Sequence, residues 1–123
     1  MKNSKIISFV ATVKPEKART FYEKTLGLKL LYEDGFAIVF DVNGVMLRVQ
    51  KVEELVPAGY TVLGWEVADI RKEVKALGKK GVKFEVFPGM GQDELGVWVS
   101  PAGGKIAWFK DPDGNILSLT EFK

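Results

Sequence analysis

Two stretches of this 123-residue chain are copies of one pattern. Asp41-Val42-Asn43-Gly44-Val45-Met46-Leu47-Arg48-Val49 and Asp111-Pro112-Asp113-Gly114-Asn115-Ile116-Leu117-Ser118-Leu119 both read Asp-x-(Asn/Asp)-Gly-x-apolar-Leu-x-apolar. In each, a turn signal runs straight into an alternating strand pattern, so each reads as the closing hairpin of a module. A chain built from two such modules must repeat its element order.

It does. A strand up to about Val13 leads to a helix opened by Pro15, whose missing N–H costs nothing in a first turn, with Glu16 at the positive end of the dipole. Ala18, Phe21, Tyr22 and Leu26 recur at helical spacing, and Gly27 stops the helix. Strand-like segments follow over 28–32, 36–41 and 45–52, punctuated by Glu33-Asp34-Gly35 and Val42-Asn43-Gly44. The second pass has a strand over 60–67, an Asp69 N-cap, and a helix with Ile70, Val74 and Leu77 on one face, ending near Gly81. Strands over 82–87, 105–110 and 116–122 complete it. The expected fold is α+β, two βαβββ modules in a single domain: module one 1–52, a linker 53–59 with Pro57, and module two 60–123.

The hairpins align at an offset of 70 (Asp41 to Asp111), the helix starts at only 55 (Pro15 to Ile70). The difference of 15 marks an insertion in module two, placed near 88–103, where Gly89, Gly91, Gly96 and Gly103 surround the strand-like run Val97-Trp98-Val99. Long glycine-rich loops on a strand scaffold are common seats of binding; a decorative hairpin is the alternative.

Composition removes whole classes of chemistry, for the chain has no cysteine and no histidine. There is no disulfide framework or thiol nucleophile, and no Ser-His-Asp triad, HExxH zinc site or two-histidine iron site. A metal would need carboxylate, amide and main-chain oxygens, the donors of Mg, Ca or Mn. Eighteen Lys+Arg face sixteen Asp+Glu with the signs interspersed, so no nucleic-acid partner is expected. The apolar run 6–13 behind Lys2 and Lys5 has the outline of a signal peptide, but it is short and no small-x-small cleavage site follows. A buried strand is the reading adopted. No stretch reaches transmembrane length, so the expectation is a cytoplasmic protein without a membrane partner.

The paired modules, the Phe21-Tyr22…Leu26-Gly27-Leu28 stretch and the closing Trp108-Phe109-Lys110-Asp111-Pro112-Asp113-Gly114-Asn115-Ile116-Leu117 together resemble one family. It is the vicinal oxygen chelate superfamily: glyoxalase I, extradiol dioxygenases and bleomycin-resistance proteins. The resemblance spans essentially the whole chain and implies a cup-shaped mixed sheet. Both motifs are structural, so they imply no particular activity; the segment 111–115 lacks the spacing and terminal Glu of a calcium loop. In metal-dependent members each module supplies two ligands, His or Gln on its first strand and Glu on its last. Those positions fall here at Ile7 and Arg48, and at Val62 and Ser118; a two-residue gap would put Phe9 in place of Ile7. That is not a ligand set. No metal and no cofactor are expected, nor metal-dependent glyoxalase or dioxygenase activity. What remains resembles the metal-free branch, whose members bind small molecules in the cup.

Strand alternation gives the cup-facing residues: Ile7, Phe9 and Ala11; Met46, Arg48 and Gln50; Tyr60, Val62, Gly64 and Glu66; Ile116, Ser118 and Thr120. A guanidinium at Arg48 would either fork onto a ligand's carboxylate, phosphate or enolate oxygen, or pair with Glu66. Glu66 is the one candidate general base, with a salt-bridge role as the alternative. Gln50, Ser118 and Thr120 are candidate hydrogen-bonders, and Trp98 is a candidate stacking surface, while Trp108 reads as core. Met90, Gln92 and Asp93 read as a lid. Phe9, Met46 and Tyr60 complete the candidate contacts. The expected function is metal-independent binding of a small organic molecule, anionic or aromatic, by a homodimer that covers its open sheet edges. The alternative is a superfamily lyase or isomerase, lactoylglutathione-lyase-like or other, using Glu66 or a carboxylate-held metal.

Overall fold

The computed structural model describes residues 1–123. The first apolar run becomes strand β1 (Ile7–Thr12), with Val10 and Thr12 buried and Ile7 and Phe9 exposed. Thr12 Oγ1 accepts the Lys14 N–H at 2.9 Å, and Pro15 follows as the first residue of helix α1 (Pro15–Thr20). The helix does not stay regular. Its continuation, Phe21–Thr25, is a π-helical segment in which the Leu26 N–H reaches back to Phe21 O at 2.9 Å. Tyr22 is wholly buried there, its ring 6.0 Å from Phe40, with Phe21 edge-on against it at 5.2 Å. Gly27, at φ 72°, takes the left-handed turn that ends the segment.

Strands β2 (Lys29–Glu33), β3 (Ala37–Val42) and β4 (Val45–Lys51) complete the first sheet, in the order β1-β4-β3-β2. Only the β1–β4 pairing is parallel. Asn43 and Gly44 make the two-residue turn between β3 and β4 at φ 50° and 88°, the double positive φ that a type I′ hairpin demands. Asp41 Oδ1 accepts the Gly44 N–H at 3.1 Å.

The second sheet repeats the plan. It runs β5 (Thr61–Glu66), β8 (Ile116–Glu121), β7 (Lys105–Lys110), β6 (Trp98–Val99), with β5 parallel to β8. Helix α2 (Ile70–Lys79) starts at Asp69, whose carboxylate accepts the Lys72 N–H at 3.2 Å, while Glu121 Oε1 accepts the Ile70 N–H at 3.0 Å. Two of the helix's free donors are thereby met. The closing hairpin turns on buried Asp111: Oδ1 accepts the N–H groups of Asp113 (2.9 Å) and Asn115 (3.0 Å), and Oδ2 the Asn115 amide (2.8 Å). These bonds fold the turn onto itself.

One expected element is missing. The segment 82–87 forms no strand; Phe84 makes a single antiparallel bridge to Phe109, and the Glu85 N–H bonds Trp108 O at 2.8 Å. The rest of that edge of β7 is taken by β6, from the insertion, with Trp98 opposite Ile106 and Val99 opposite Lys105. A strand edge accepts one partner at each position, and the insertion supplies it.

The contacts divide the chain into two units, Met1–Pro57 and Ala58–Lys123. The first has a core of Val10, Ile38, Phe40, Leu47 and Val49 with Ala18 and Tyr22; the second has Ala107, Phe109, Leu117 and Leu119 with Ile70 and Val74. In each, alternate residues on the strands point to the opposite face of the sheet. No helix is long and apolar enough to cross a membrane.

Candidate functional site

In the first unit, strand register sets the predicted residues in level rows on the face away from the helix. Phe9, Arg48, Val39 and Tyr32 form one row across β1, β4, β3 and β2. Ile7, Met46 and Asp41 form the row on one side of it, and Ala11, Gln50 and Ala37 the row on the other. Gln50 is exposed. Arg48 Nη1 donates to the Tyr32 hydroxyl at 3.1 Å, and Val39 between them is wholly buried. The sequence left Arg48 a ligand or Glu66 as partner; the partner it has is Tyr32. That phenol uses one N–H and neutralises no charge.

The other two arginines are neutralised. Arg19 pairs with Glu33 at 2.9 Å and Arg71 with Asp93 at 3.0 Å, whereas Arg48 makes no ion pair. The Arg48 charge helps to lower the Asp34 carboxyl, but Asp34 spends its hydrogen bonds on main-chain N–H groups. Glu33 is held below the usual carboxylate range by hydrogen bonds from Lys51 and Arg19, and Asp34 by the N–H groups of Phe36 and Ala37. Along the Ile7–Met46–Asp41 row lies a groove of about 300 Å³, whose lining includes apolar Ile6, Ile7, Leu31 and Met46 and the charged pair Lys5 and Asp41. That is the lower end of small-molecule pocket volumes.

Tyr32 was not among the residues the sequence nominated. Strict alternation would put it on the same face as Leu30, which is level with core Phe40. A bulge at Leu31 reverses the phase and brings Tyr32 level with Val39. Nothing in the local sequence announces that bulge.

The second unit presents two rows. Gly64, Ser118 and Trp108 are level across β5, β8 and β7; Glu66, Thr120, Ile106 and Trp98 form the next, with β6 joining. Trp108, read from sequence as core, therefore stands on the Ser118 face, and its neighbours Ala107 and Phe109 hold the core instead. Membership of a fold motif carries no strand phase; register does. The Trp98 and Trp108 ring centroids are 6.2 Å apart at 36°, and Phe87 meets Trp108 edge-on at 5.7 Å. Ser118 is buried, and Gly64 stands opposite: a Cβ there would lie 2.6 Å from Ser118 Oγ. Glu66 is exposed and makes no ion pair. Tyr60 precedes β5 and is exposed. A register shift at Val62 brings Thr61 level with Ile116, so the alternation expected through Tyr60 and Val62 is interrupted.

The lid expected of Met90, Gln92 and Asp93 is a brace. Gln92 accepts the Phe87 N–H at 2.7 Å and donates to Glu85 O and Gly96 O at 2.9 and 2.8 Å. Asp93 Oδ1 accepts the N–H groups of Leu95 and Val97, both at 2.9 Å, while Oδ2 meets Arg71. Burial pushes the Asp93 carboxyl up, but Val97, Arg71 and Leu95 outweigh it and hold it below the ordinary range. Both side chains fix the insertion's path, which carries Trp98 into the sheet.

The positions that resemble the family's metal ligands do not fit a divalent cation. Level with Arg48 and Ser118 stand Phe9 and Gly64, with Ile7 and Val62 two residues earlier. The only donor among them is one hydroxyl, and no group of three or more acidic side chains is placed to hold a metal ion.

Two mixed four-stranded sheets, each with one parallel pair and one helix, define a class of protein built on paired βαβββ modules. The family model for the Glyoxalase/Bleomycin resistance protein/Dioxygenase superfamily matches residues 7–119, and the chain belongs to that superfamily. Solved structures share the fold. A glyoxalase family protein from Bacillus anthracis superposes with a TM-score of 0.75 at 20% identity, covering 100% of both chains. An integron cassette protein from the mobile metagenome of the Halifax Harbour sewage outfall gives 0.72 at 23% identity, covering 98% of this chain and 99% of that one. Lactoylglutathione lyase from Agrobacterium tumefaciens gives 0.74 at 15%, covering 97% and 93%.

Proposed function

We propose that this protein binds a small organic anion at Arg48 without a metal ion, as a cytoplasmic homodimer. The observation that carries the reading is Arg48 itself. It is the one arginine that makes no ion pair, it stands among Phe9, Val39 and Met46, and a phenol hydroxyl orients it. A guanidinium in apolar surroundings with most of its N–H groups unspent is suited to a carboxylate or phosphate fork. The groove that begins at Met46, two residues along β4 from Arg48, offers Ile7, Leu31 and Met46 to the apolar body of such an anion. Exposed Ile7, Phe9, Leu31 and Tyr32 support a second copy as cover for this unit's surface. The rival reading, a lyase or isomerase with Glu66 as base, has only an exposed carboxylate to rest on.

Calorimetric titration with benzoate and hexanoate, against benzamide and hexanamide, tests the proposal. The carboxylates are expected to bind saturably and the amides at least tenfold more weakly, before and after chelator treatment. Arg48→Met is expected to abolish the difference. Equal binding of acid and amide, loss of binding on chelation, or stoichiometric nickel, zinc, iron or manganese in the purified protein would overturn it. Light scattering across a dilution series checks the dimer.

A further inference from the structure

Val86-Phe87 and Val97-Trp98 share one plan, a valine followed by an aromatic residue, and both are aimed at the same two places on β7. The Phe84–Phe109 bridge, continued in register, sets Val86 opposite Ala107 and Phe87 opposite Ile106. The β6 register has Trp98 opposite Ile106 and, one residue back, Val97 opposite Ala107. In the structure the insertion holds both places, for Val97 is 1% exposed and Val86 70%. The first unit has no insertion. There β2 pairs past Phe40, the equivalent of Phe109, as far as Ile38, the equivalent of Ala107.

Gln92 keeps the excluded segment away. The Glu85 N–H bonds Trp108 O at 2.8 Å, so the next two ladder bonds would use Glu85 O and the Phe87 N–H. Those are the two groups that the Gln92 amide holds, at 2.9 and 2.7 Å. A side-chain amide thus stands in for the peptide groups of the neighbouring strand. Its third bond, to Gly96 O at 2.8 Å, ties the same amide to the approach of β6. We propose that the insertion is a releasable strap across a strand edge that has two alternative occupants. When Gln92 lets go, Val86-Phe87 pairs with Ala107-Ile106, β6 leaves, and Trp98 is withdrawn from the row of Ile106, Thr120 and Glu66. Valine replaces valine and an aromatic ring replaces an aromatic ring, so both faces of the sheet are refilled. Pro88 has no N–H to give and ends the new strand. The second arrangement forfeits the bonds of Gln92 and those of Asp93 to Leu95 and Val97, which makes it the minor state of the parent protein.

Amide hydrogen exchange of the full-length, nitrogen-labelled protein tests this residue by residue. The Ser100 N–H bonds Gly104 O at 2.7 Å, and by the same alternation the Trp98 N–H is aimed at Ile106 O. Gln92→Ala removes three hydrogen bonds from the present arrangement and none from the second, so it shifts their ratio by roughly tenfold to a thousandfold. Protection at Trp98 and Ser100 is expected to fall by a factor of that order. Phe87 is expected to stay at least as protected as in the parent, its N–H having passed to Ile106 O. Val86→Asp alters a side chain that is exposed now and buried in the second arrangement. Alone it is expected to leave exchange as in the parent, and in the Gln92→Ala background to restore protection at Trp98 and Ser100. Loss of protection at Phe87 together with Trp98 and Ser100 would mark a merely loosened loop and overturn the proposal. Unaltered protection at Trp98 and Ser100 in Gln92→Ala, or no restoration by Val86→Asp, would overturn it equally.

Discussion

Asp41 and Asp111 hold the same place in the repeated hairpin motif and carry unequal loads. Asp41 accepts one N–H at a solvent-exposed turn, whereas Asp111 is buried and accepts three donors, two main-chain and one from the buried Asn115. Removing an acceptor from an exposed turn loses one modest hydrogen bond; removing it from a closed turn leaves buried donors unmet. Asp111→Ala is expected to cost about 2–4 kcal/mol and Asp41→Ala about 1 kcal/mol or less, measured by urea unfolding. The sequence displays both aspartates alike, because a motif records the donor pattern and not its burial. Arg48 was legible as a candidate from its residue type and strand phase. Tyr32 and Trp108 were not legible as surface partners of Arg48 and Ser118 respectively, because each owes its face to strand register, one reset by a bulge, which residue type alone does not carry.

At the scale of elements, local chemistry decided what could be foreseen. The Asn43-Gly44 turn, Pro15 at the helix start and the Asp69 cap are written in adjacent residues, and the structure contains all three. The bulges at Leu31 and Val62 and the contest for the edge of β7 are long-range outcomes, invisible to a window of neighbours. The insertion that won the contest is anchored by Asp93, whose carboxyl titrates below its ordinary value of 3.8. A folded-state pKa depressed below the unfolded one stabilises fully above the ordinary aspartate range, and that contribution fades as pH falls through the folded value. Asp93→Asn is therefore expected to be less stable than the parent at pH 7, the gap closing as the solution is acidified below about pH 4. Urea midpoints across a pH series read this directly.

Across the whole molecule, duplication explains why the same residue position serves two cores. Leu47 and Leu117 are equivalents in the repeat and both are buried, one in each unit. Truncating either to alanine should cost about 2–5 kcal/mol. Because each unit has its own core, hydrogen exchange should rise across 1–57 in Leu47→Ala and across 58–123 in Leu117→Ala, with the other unit keeping its protection. The tilted indole pair has a consequence of another kind. Two tryptophan rings with centroids 6.2 Å apart at 36° are close enough for their electronic transitions to mix. Such mixing splits the indole band into a circular-dichroism couplet whose sign reports the handedness of the pair. Lifting β6 off β7 would separate the two rings and abolish that couplet, so the unlabelled protein carries its own optical gauge of how the insertion is seated.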